Sequence, residues 1–187
     1  MTGDSHLDGV MSALGFRMMA LSFRICDALR PLPHDLGTAG IREGMVVVDY
    51  GCGPGRYLCQ ASVLAGSSGT IYAVDIHPTA IETIEAIIKK EHLTNVRPVL
   101  VKGYASGLPG GCADLVYALD MFHNISDPVA FLTEIHRIIK PEGTLIIDSG
   151  HQKIEDAQGK ILESGLWEII EEKPEWFICH PQSRKES

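Results

Sequence analysis

The sequence predicts an α/β fold built on a mostly parallel β-sheet, and three observations support this prediction. Short runs of β-branched and apolar residues recur along the chain, and segments of helical periodicity separate them. Continuous apolar runs of this kind are typical of strands buried on both faces of a parallel sheet. The first run, residues 46–48, is followed by glycines at every second position before helical spacing resumes. A glycine-rich break between a strand and a helix lets the backbone approach a ligand closely.

The composition suits one domain with a sizeable core, because 187 residues with 45% hydrophobic content leave no room for a second. The formal net charge of −8 argues against nucleic acid as the main partner, since phosphate binding needs a basic face. No apolar run reaches the roughly 20 residues of a membrane span. Five cysteines, with no C-x-x-C pair, favour reduced thiols over a disulfide or metal framework. We therefore expect a cytoplasmic protein without a metal site, and its oligomeric state stays open.

An N-terminal segment, residues 1–40, precedes the core predicted for residues 42–180. Its apolar residues recur at steps of three or four and predict a helix over residues 10–29, with one stripe formed by Val10, Leu14, Met18, Leu21, Ile25 and Leu29. Phe16, Met19 and Phe23 widen this stripe. The helix either packs on the domain or covers a binding pocket as a lid, since a face rich in Met and Phe suits both roles.

The glycine-rich turn after the first strand indicates the kind of cofactor. Gly51, Gly53 and Gly55 follow the spacing G-x-G-x-G, whereas a dinucleotide fingerprint is G-x-G-x-x-G. Arg56 stands where the third dinucleotide glycine would be. A large cationic side chain there argues against the close strand–helix packing of dinucleotide sites, so the turn favours a cofactor without a diphosphate.

Asp75 ends the second predicted strand, residues 70–75, and lies 20 residues after Gly55 (75 − 55). An acidic residue at about this offset accepts hydrogen bonds from ribose hydroxyls. The alternative is that Asp75 caps the next helix, residues 79–92. Pro78 suits the first turn of that helix and therefore argues against this alternative. Asp75 is predicted to bind a nucleoside.

Further elements complete the alternating pattern. Strands are predicted at residues 96–101, 114–119 and 144–148, and helices at 129–139 and 154–163. Asp127 and Pro128 are suited to begin the first of these helices. A turn at residues 140–143 leads into the 144–148 strand, and a hairpin of strands 166–171 and 175–180 ends the fold.

Three polar residues follow the fourth and fifth predicted strands and are the candidate catalytic groups. Asp120 and His123 come after strand four, and His151 comes after strand five. The carboxyl ends of parallel strands meet at the edge of the sheet where α/β folds bind ligands. For His123 the alternative is a hydrogen bond that orders its loop, and for His151 it is a simple surface position.

Several motifs together resemble one family, the Rossmann-like S-adenosylmethionine (SAM)-dependent methyltransferases of the type-11, ubiquinone/menaquinone-biosynthesis-like group. They are Asp49-x-Gly51-x-Gly53-x-Gly55, Phe122-His123, Asp127-Pro128 and Lys140-Pro141-Glu142-Gly143. The resemblance implies a three-layer sandwich with helices on both faces of a seven-stranded sheet and an extra N-terminal helix. The implied strand order is 3-2-1-4-5-7-6, with the last strand antiparallel.

The resemblance also implies SAM as the cofactor and a set of residues that bind it: Asp49, Gly51, Cys52, Gly53, Gly55, Asp75, Ile76, Tyr104, Ala105 and Leu119. In this set the glycines let the backbone approach the amino-acid end of SAM, Asp49 lies near its ammonium group, and Asp75 holds the ribose. Tyr104 departs from the family, which commonly has an acidic residue there for the adenine amino group. The binding of adenine would then depend on backbone groups near Ala105 and on stacking against Ile76 or Tyr104.

The implied activity is methyl transfer to a small organic acceptor, with Asp120, His123 and His151 nearest the chemistry. Two alternatives stay open at this stage. One is a SAM-binding regulatory or scaffold protein without turnover, which also suits the missing acidic residue at Tyr104. The other is an NAD(P)-dependent oxidoreductase, which suits the strand, glycine turn and Asp75 but not Arg56.

Overall fold

The computed structural model describes residues 11–29, 32, 34–174 and 176–183. Within these ranges one sheet contains the strands β1 (Val46–Tyr50), β2 (Thr70–Asp75), β3 (Val96–Leu100), β4 (Ala113–Ala118), β5 (Ile139–Ile147), β6 (Trp167–Glu172) and β7 (Phe177–Pro181). Their order is β3-β2-β1-β4-β5-β7-β6. β7 runs antiparallel to both of its neighbours, and the other strand pairs are parallel. The implied strand order and the antiparallel last strand are confirmed.

The described residues form five α-helices: α1 (Ala13–Leu29), α2 (Leu58–Ala65), α3 (Pro78–Glu91), α4 (Pro128–Ile138) and α5 (Ile154–Glu163). α1 precedes β1, and the other four lie between strands. α4 begins as predicted, because the Asp127 side chain accepts a hydrogen bond from Ala130 N at 2.9 Å and Pro128 takes the first position. α3 is capped by His77, whose Nδ1 accepts from Thr79 N at 3.1 Å.

The sheet separates two apolar layers, because successive side chains of a strand point to opposite faces. Val47 and its neighbours on that face pack with residues of α2 and α3, such as Leu58 and Ile84. Val48 and its neighbours on the other face pack with residues of α4 and α5, such as Phe131 and Ile161. Buried residues on both faces explain why the strand sequences are continuously apolar, and the predicted three-layer architecture is confirmed.

β5 begins earlier than predicted, because the expected turn at residues 140–143 lies within the strand. Ile139 pairs with Ala113, and the register then shifts so that Thr144 pairs with Leu115. This bulge absorbs the extra residues on β5. Gly143 is required there, since a Cβ atom would lie 2.5 Å from Ile139 Cγ1.

The apolar stripe predicted along the N-terminal helix faces outward rather than toward the domain. Leu14 is 70% exposed and Leu29 is 78% exposed, whereas Phe16 is 4% exposed. Val10, the first residue of the stripe, lies outside the described residues. α1 turns its Phe16 side inward because the Phe16 ring stacks on His77, with ring centroids 4.6 Å apart. Periodicity located the helix correctly, but it did not identify the face that packs.

Candidate functional site

A cavity of about 320 Å³ opens at the carboxyl ends of β1, β2 and β4, under the inner face of α1. Its walls come from residues 49–54, 74–77 and 119–121, and Phe16, Met19 and Phe23 of α1 cover one side. This is the edge of a parallel sheet at which α/β folds bind ligands. Of the residues predicted to bind a cofactor, eight line the cavity: Asp49, Gly51, Cys52, Gly53, Asp75, Ile76, Tyr104 and Leu119.

The glycine turn uses its glycines in two different ways. Gly51 and Gly53 line the cavity at φ of 81° and 50°, conformations that favour glycine. A Cβ atom on Gly51 would lie 3.0 Å from the Met121 side chain. Gly55 does not line this cavity, and a Cβ atom there would lie 2.7 Å from Ile84 Cδ1. Gly51 and Gly53 therefore present bare backbone to the cavity, while Gly55 lets the turn pack on α3.

Asp75 connects the end of β2 to the glycine turn. One of its carboxylate oxygens accepts a hydrogen bond from Gly53 N at 2.8 Å, and the other accepts from His77 N at 2.8 Å. Burial raises the pKa of Asp75, and the two backbone donors oppose that rise. Each carboxylate oxygen has a second lone pair, so Asp75 can still accept from a hydroxyl in the cavity.

Asp49 is the most deeply buried acidic group in the cavity wall, with 3% exposure. Burial raises its pKa to about 8, a rise that the neighbouring Tyr117 hydroxyl opposes and the charge of Asp75 increases. Its Oδ2 atom has no hydrogen-bond partner among the described residues. A buried carboxyl group without a hydrogen-bond partner is suited to accept a hydrogen bond from a positively charged N–H group of a ligand.

Ile76 and Tyr104, which the sequence predicts to contact the base of a nucleoside, both line the cavity. The Tyr104 hydroxyl bonds Ser126 Oγ at 3.0 Å and accepts from Asp127 N at 3.1 Å. These bonds hold the phenol ring at the cavity wall, so the ring is available for stacking. Ala105 does not line the cavity: it is exposed and forms an isolated bridge with Lys102.

Arg56 joins the glycine turn to α1 and to the end of β4. Its Nη2 and Nε atoms donate to the two carboxylate oxygens of Asp27 at 2.6 and 3.0 Å, and its Nη1 donates to Asp120 Oδ2 at 2.7 Å. The guanidinium group also lies 4.3 Å from the centre of the Phe23 ring. In the sequence, Arg56 served only as an argument against dinucleotide binding. Nothing in the sequence identified Asp27 as its partner.

Asp120 is the only one of the three candidate catalytic residues that lines the cavity. It has a φ of 59°, a conformation that L-residues rarely adopt. Its backbone N–H donates to Asp148 Oδ2 at 2.9 Å, and the same oxygen lies 3.1 Å from His34 Nε2. His34 and Asp148 are both buried, and the sequence predictions did not include either as a site residue.

His123 and His151 form a pair beside the cavity rather than in its wall. Their rings meet edge to face, with centroids 4.8 Å apart. His123 Nε2 pairs with the Asn124 side chain at 2.9 Å. Burial lowers the pKa of His123, and the nearby His151 lowers it further. The His123 ring packs so tightly on Gly150 that a Cβ atom there would lie 2.2 Å from Nδ1. This arrangement agrees with the loop-ordering alternative for His123.

The sequence matches the model of a known protein family. A family model described as a methyltransferase domain matches residues 41–185, which is most of the chain. The chain belongs to this methyltransferase-domain family. The resemblance predicted from the sequence motifs is thereby confirmed.

Curated relatives of this methyltransferase domain are named for quinone methylation. The demethylmenaquinone methyltransferase of Lactococcus lactis subsp. lactis (strain IL1403) is 30% identical over 127 residues, covering 63% of this chain and 50% of that protein. The ubiquinone/menaquinone biosynthesis C-methyltransferase UbiE of Shewanella sp. (strain W3-18-1) is 27% identical over 115 residues, covering 61% of this chain and 46% of that protein. The chain thus spans about half the length of the curated relatives it matches.

Solved structures similar to this methyltransferase domain include a SAM-dependent methyltransferase from Aquifex aeolicus. It has a TM-score of 0.67 and 26% identity, covering 78% of this chain and 86% of that one. A putative SAM-dependent methyltransferase from Methanococcus maripaludis has a TM-score of 0.73 and 18% identity, covering 95% and 99% of the two chains, and shows the shared fold. Among the helices of the described ranges, none has the length and apolar character needed to cross a membrane.

Proposed function

We propose that this methyltransferase domain binds SAM in the cavity and transfers its methyl group to a small organic acceptor. The observation that carries the proposal is the buried Asp49 carboxyl group, whose Oδ2 atom lacks a partner among the described residues, beside the bare backbone of Gly51 and Gly53. A cationic amino group attached to an otherwise compact ligand would satisfy Asp49. SAM carries such a group, and its amino-acid end fits a turn without side chains.

The other cavity residues are suited to the rest of SAM. Asp75 would accept from the ribose hydroxyls, and Ile76 and Tyr104, which both line the cavity, would contact adenine. When bound, SAM supplies a methyl group made electrophilic by its sulfonium. The task of the chain is then to align the acceptor and exclude water, and such orientation lowers reaction barriers by roughly 7–11 kcal/mol. A general base is needed only if the reacting atom of the acceptor carries a proton.

The acceptor that we propose is a flat, largely apolar ring. Phe16, Met19 and Phe23 line the α1 side of the cavity, and side chains of this kind favour contact with aromatic ligands. The names of the curated relatives, which refer to demethylmenaquinone and ubiquinone, agree with this class of acceptor. We also place the protein in the cytoplasm, a proposal supported by five cysteines that are all unpaired.

The test is calorimetry of the purified protein with S-adenosylhomocysteine and with NAD, followed by assays of methyl transfer from labelled SAM to hydroquinone analogues. We expect heat from S-adenosylhomocysteine alone and a labelled product. Binding of NAD without S-adenosylhomocysteine would favour the oxidoreductase alternative. Binding without transfer to any acceptor would favour the regulatory or scaffold alternative.

A further inference from the structure

Three potential metal ligands converge beneath the Asp120 side of the cavity. His34 comes from the segment before a 3₁₀ turn at Leu36–Thr38, while Asp120 and Asp148 follow β4 and β5. One ligand atom from each residue can be chosen so that all three lie within 4.8 Å of one another. His34 is 7% exposed and Asp148 is 3% exposed, so two of the three ligands are almost fully enclosed.

Among the described residues, negative charge exceeds positive charge around this cluster. Arg56 contacts Asp27 and Asp120, and Asp148 pairs with His34. These three carboxylates therefore face one guanidinium and one imidazole in the described part of the chain, so negative charge is in excess whether or not the imidazole carries a proton. Burying unbalanced carboxylates is costly. A divalent cation would remove this excess.

A second observation also indicates a missing ligand at this place. The Tyr57 hydroxyl is buried and has no hydrogen-bond partner in the described part of the chain, and the same holds for Asp148 Oδ1. The Tyr57 ring lies 5.8 Å from the His34 ring. Buried polar groups are normally satisfied, and a hydrated ion in the cluster would supply partners for both.

We propose that His34, Asp120 and Asp148 bind a divalent metal ion through His34 Nε2 and one carboxylate oxygen of each aspartate. One imidazole and two carboxylates suit Mn²⁺, Fe²⁺ or Zn²⁺ better than Ca²⁺, which prefers oxygen ligands alone. Arg56 donates a hydrogen bond to Oδ2 of Asp120, so the ion would bind the other carboxylate oxygen, Oδ1. The sequence predicts no metal site on the basis of its cysteines, and the three ligands proposed here are far apart in the chain.

The metal site would add an acceptor class to the proposed function, and this acceptor class depends on that function. Three protein ligands leave open coordination positions, and Asp120 lines the cavity. A hydroxyl oxygen of the acceptor can take such a position, where the ion lowers the pKa of that hydroxyl and favours its anion. The metal site therefore selects acceptors that carry a hydroxyl group close to the atom to be methylated.

The experiment is a titration of the full chain, freed of metal by a chelator, with Mn²⁺ followed by electron paramagnetic resonance in the absence of SAM. We expect one bound ion per chain. His34→Ala and Asp148→Asn should each weaken binding by more than about tenfold, since loss of even an outer-shell partner costs that much. The control His180→Ala removes an exposed histidine of β7 and should bind as the unmodified protein does. Circular dichroism verifies that each variant is folded.

The proposal fails if the unmodified protein binds neither Mn²⁺ nor Zn²⁺ at millimolar concentration, which would leave His34 and Asp148 as a simple hydrogen-bonded pair. It also fails if His180→Ala loses as much affinity as His34→Ala. If Asp148→Asn does not fold, Asp120→Asn takes its place. S-adenosylhomocysteine binding is measured separately on the metal-free protein, so failure of the metal site and failure of the proposed function give different results.

Discussion

Arg56 Nη1 lies 2.7 Å from Asp120 Oδ2, and this ion pair joins the glycine turn to the strained residue after β4. The other side of the same guanidinium holds Asp27 of α1. The Arg56 side chain therefore connects three segments that form the cavity: the glycine turn, the residues after β4, and α1. The inner face of α1 stays over the cavity because of this connection and because Phe16 stacks on His77.

Replacement of Arg56 by alanine should destabilise the protein by about 2 kcal/mol and weaken S-adenosylhomocysteine binding, because two partly buried carboxylates lose their partner. Urea unfolding and calorimetry measure the two effects. Arg42→Ala, which removes an exposed arginine before β1, is the control and should change neither. Equal stability of Arg56→Ala and Arg42→Ala would mean that the ion pairs do not hold α1.

Binding of S-adenosylhomocysteine at pH 7 should release protons from Asp49. The raised pKa, about 8, keeps this carboxyl group mostly protonated in the free protein, and the ligand's ammonium group favours the carboxylate. Calorimetry in phosphate and in Tris separates the proton contribution from the binding heat. Asp49→Asn should show no such dependence on buffer. If the two proteins release the same number of protons, another group is responsible.

The stability of the ligand-free protein should also depend on Asp49. Folding raises its pKa from 3.8 to about 8, so the native state holds the proton more tightly than the unfolded chain does. The stabilisation is complete below the lower value and is lost as pH rises through the higher one. The free energy of unfolding, measured in urea between pH 5 and 9, should therefore fall with pH relative to Asp49→Asn. A constant difference would contradict the assigned burial effect.

Replacement of Asp75 by alanine should weaken S-adenosylhomocysteine binding by about 1–3 kcal/mol, because buried donors lose their acceptor. Gly53 N and His77 N would lose their bonds together with the ribose hydroxyls. Asp75→Asn keeps one acceptor oxygen and should lose less affinity. Isothermal calorimetry compares the three proteins, and unchanged affinity in the alanine variant would remove Asp75 from the site.

The two classes of glycine in the turn should respond differently to alanine. Gly55→Ala places a methyl group 2.7 Å from Ile84 Cδ1, and we expect a loss of about 1–3 kcal/mol in stability from overpacking. Gly53→Ala meets no atom closer than 4.0 Å, so its loss of stability should be limited to the strain of its positive φ, and it should also weaken ligand binding. Thermal unfolding and calorimetry distinguish the two effects. If Gly55→Ala instead lost mainly ligand affinity and Gly53→Ala lost mainly stability, Gly55 rather than Gly53 would face the ligand.

Local sequence was sufficient to predict the glycine turn, the start of α4 and the strands, except for the start of β5. Each of these depends on residues a few positions apart, such as Asp127 with Ala130, and backbone and capping preferences act at that range. The family motifs added the strand order, which local preferences alone do not contain. Asp75 was predicted at the site from its position at the end of a parallel strand, and the family motifs added Asp49, which lies near the end of β1.

The remaining parts of the site depend on contacts between residues far apart in the chain. Arg56 meets Asp120 across 64 residues, and His34 meets Asp148 across 114. Such pairs exist only after β1, β4 and β5 lie side by side, because packing brings their ends to one edge of the sheet. The inward face of α1 was likewise set by the stacking of Phe16 on His77, since helical periodicity records which residues share a face but not which face is covered.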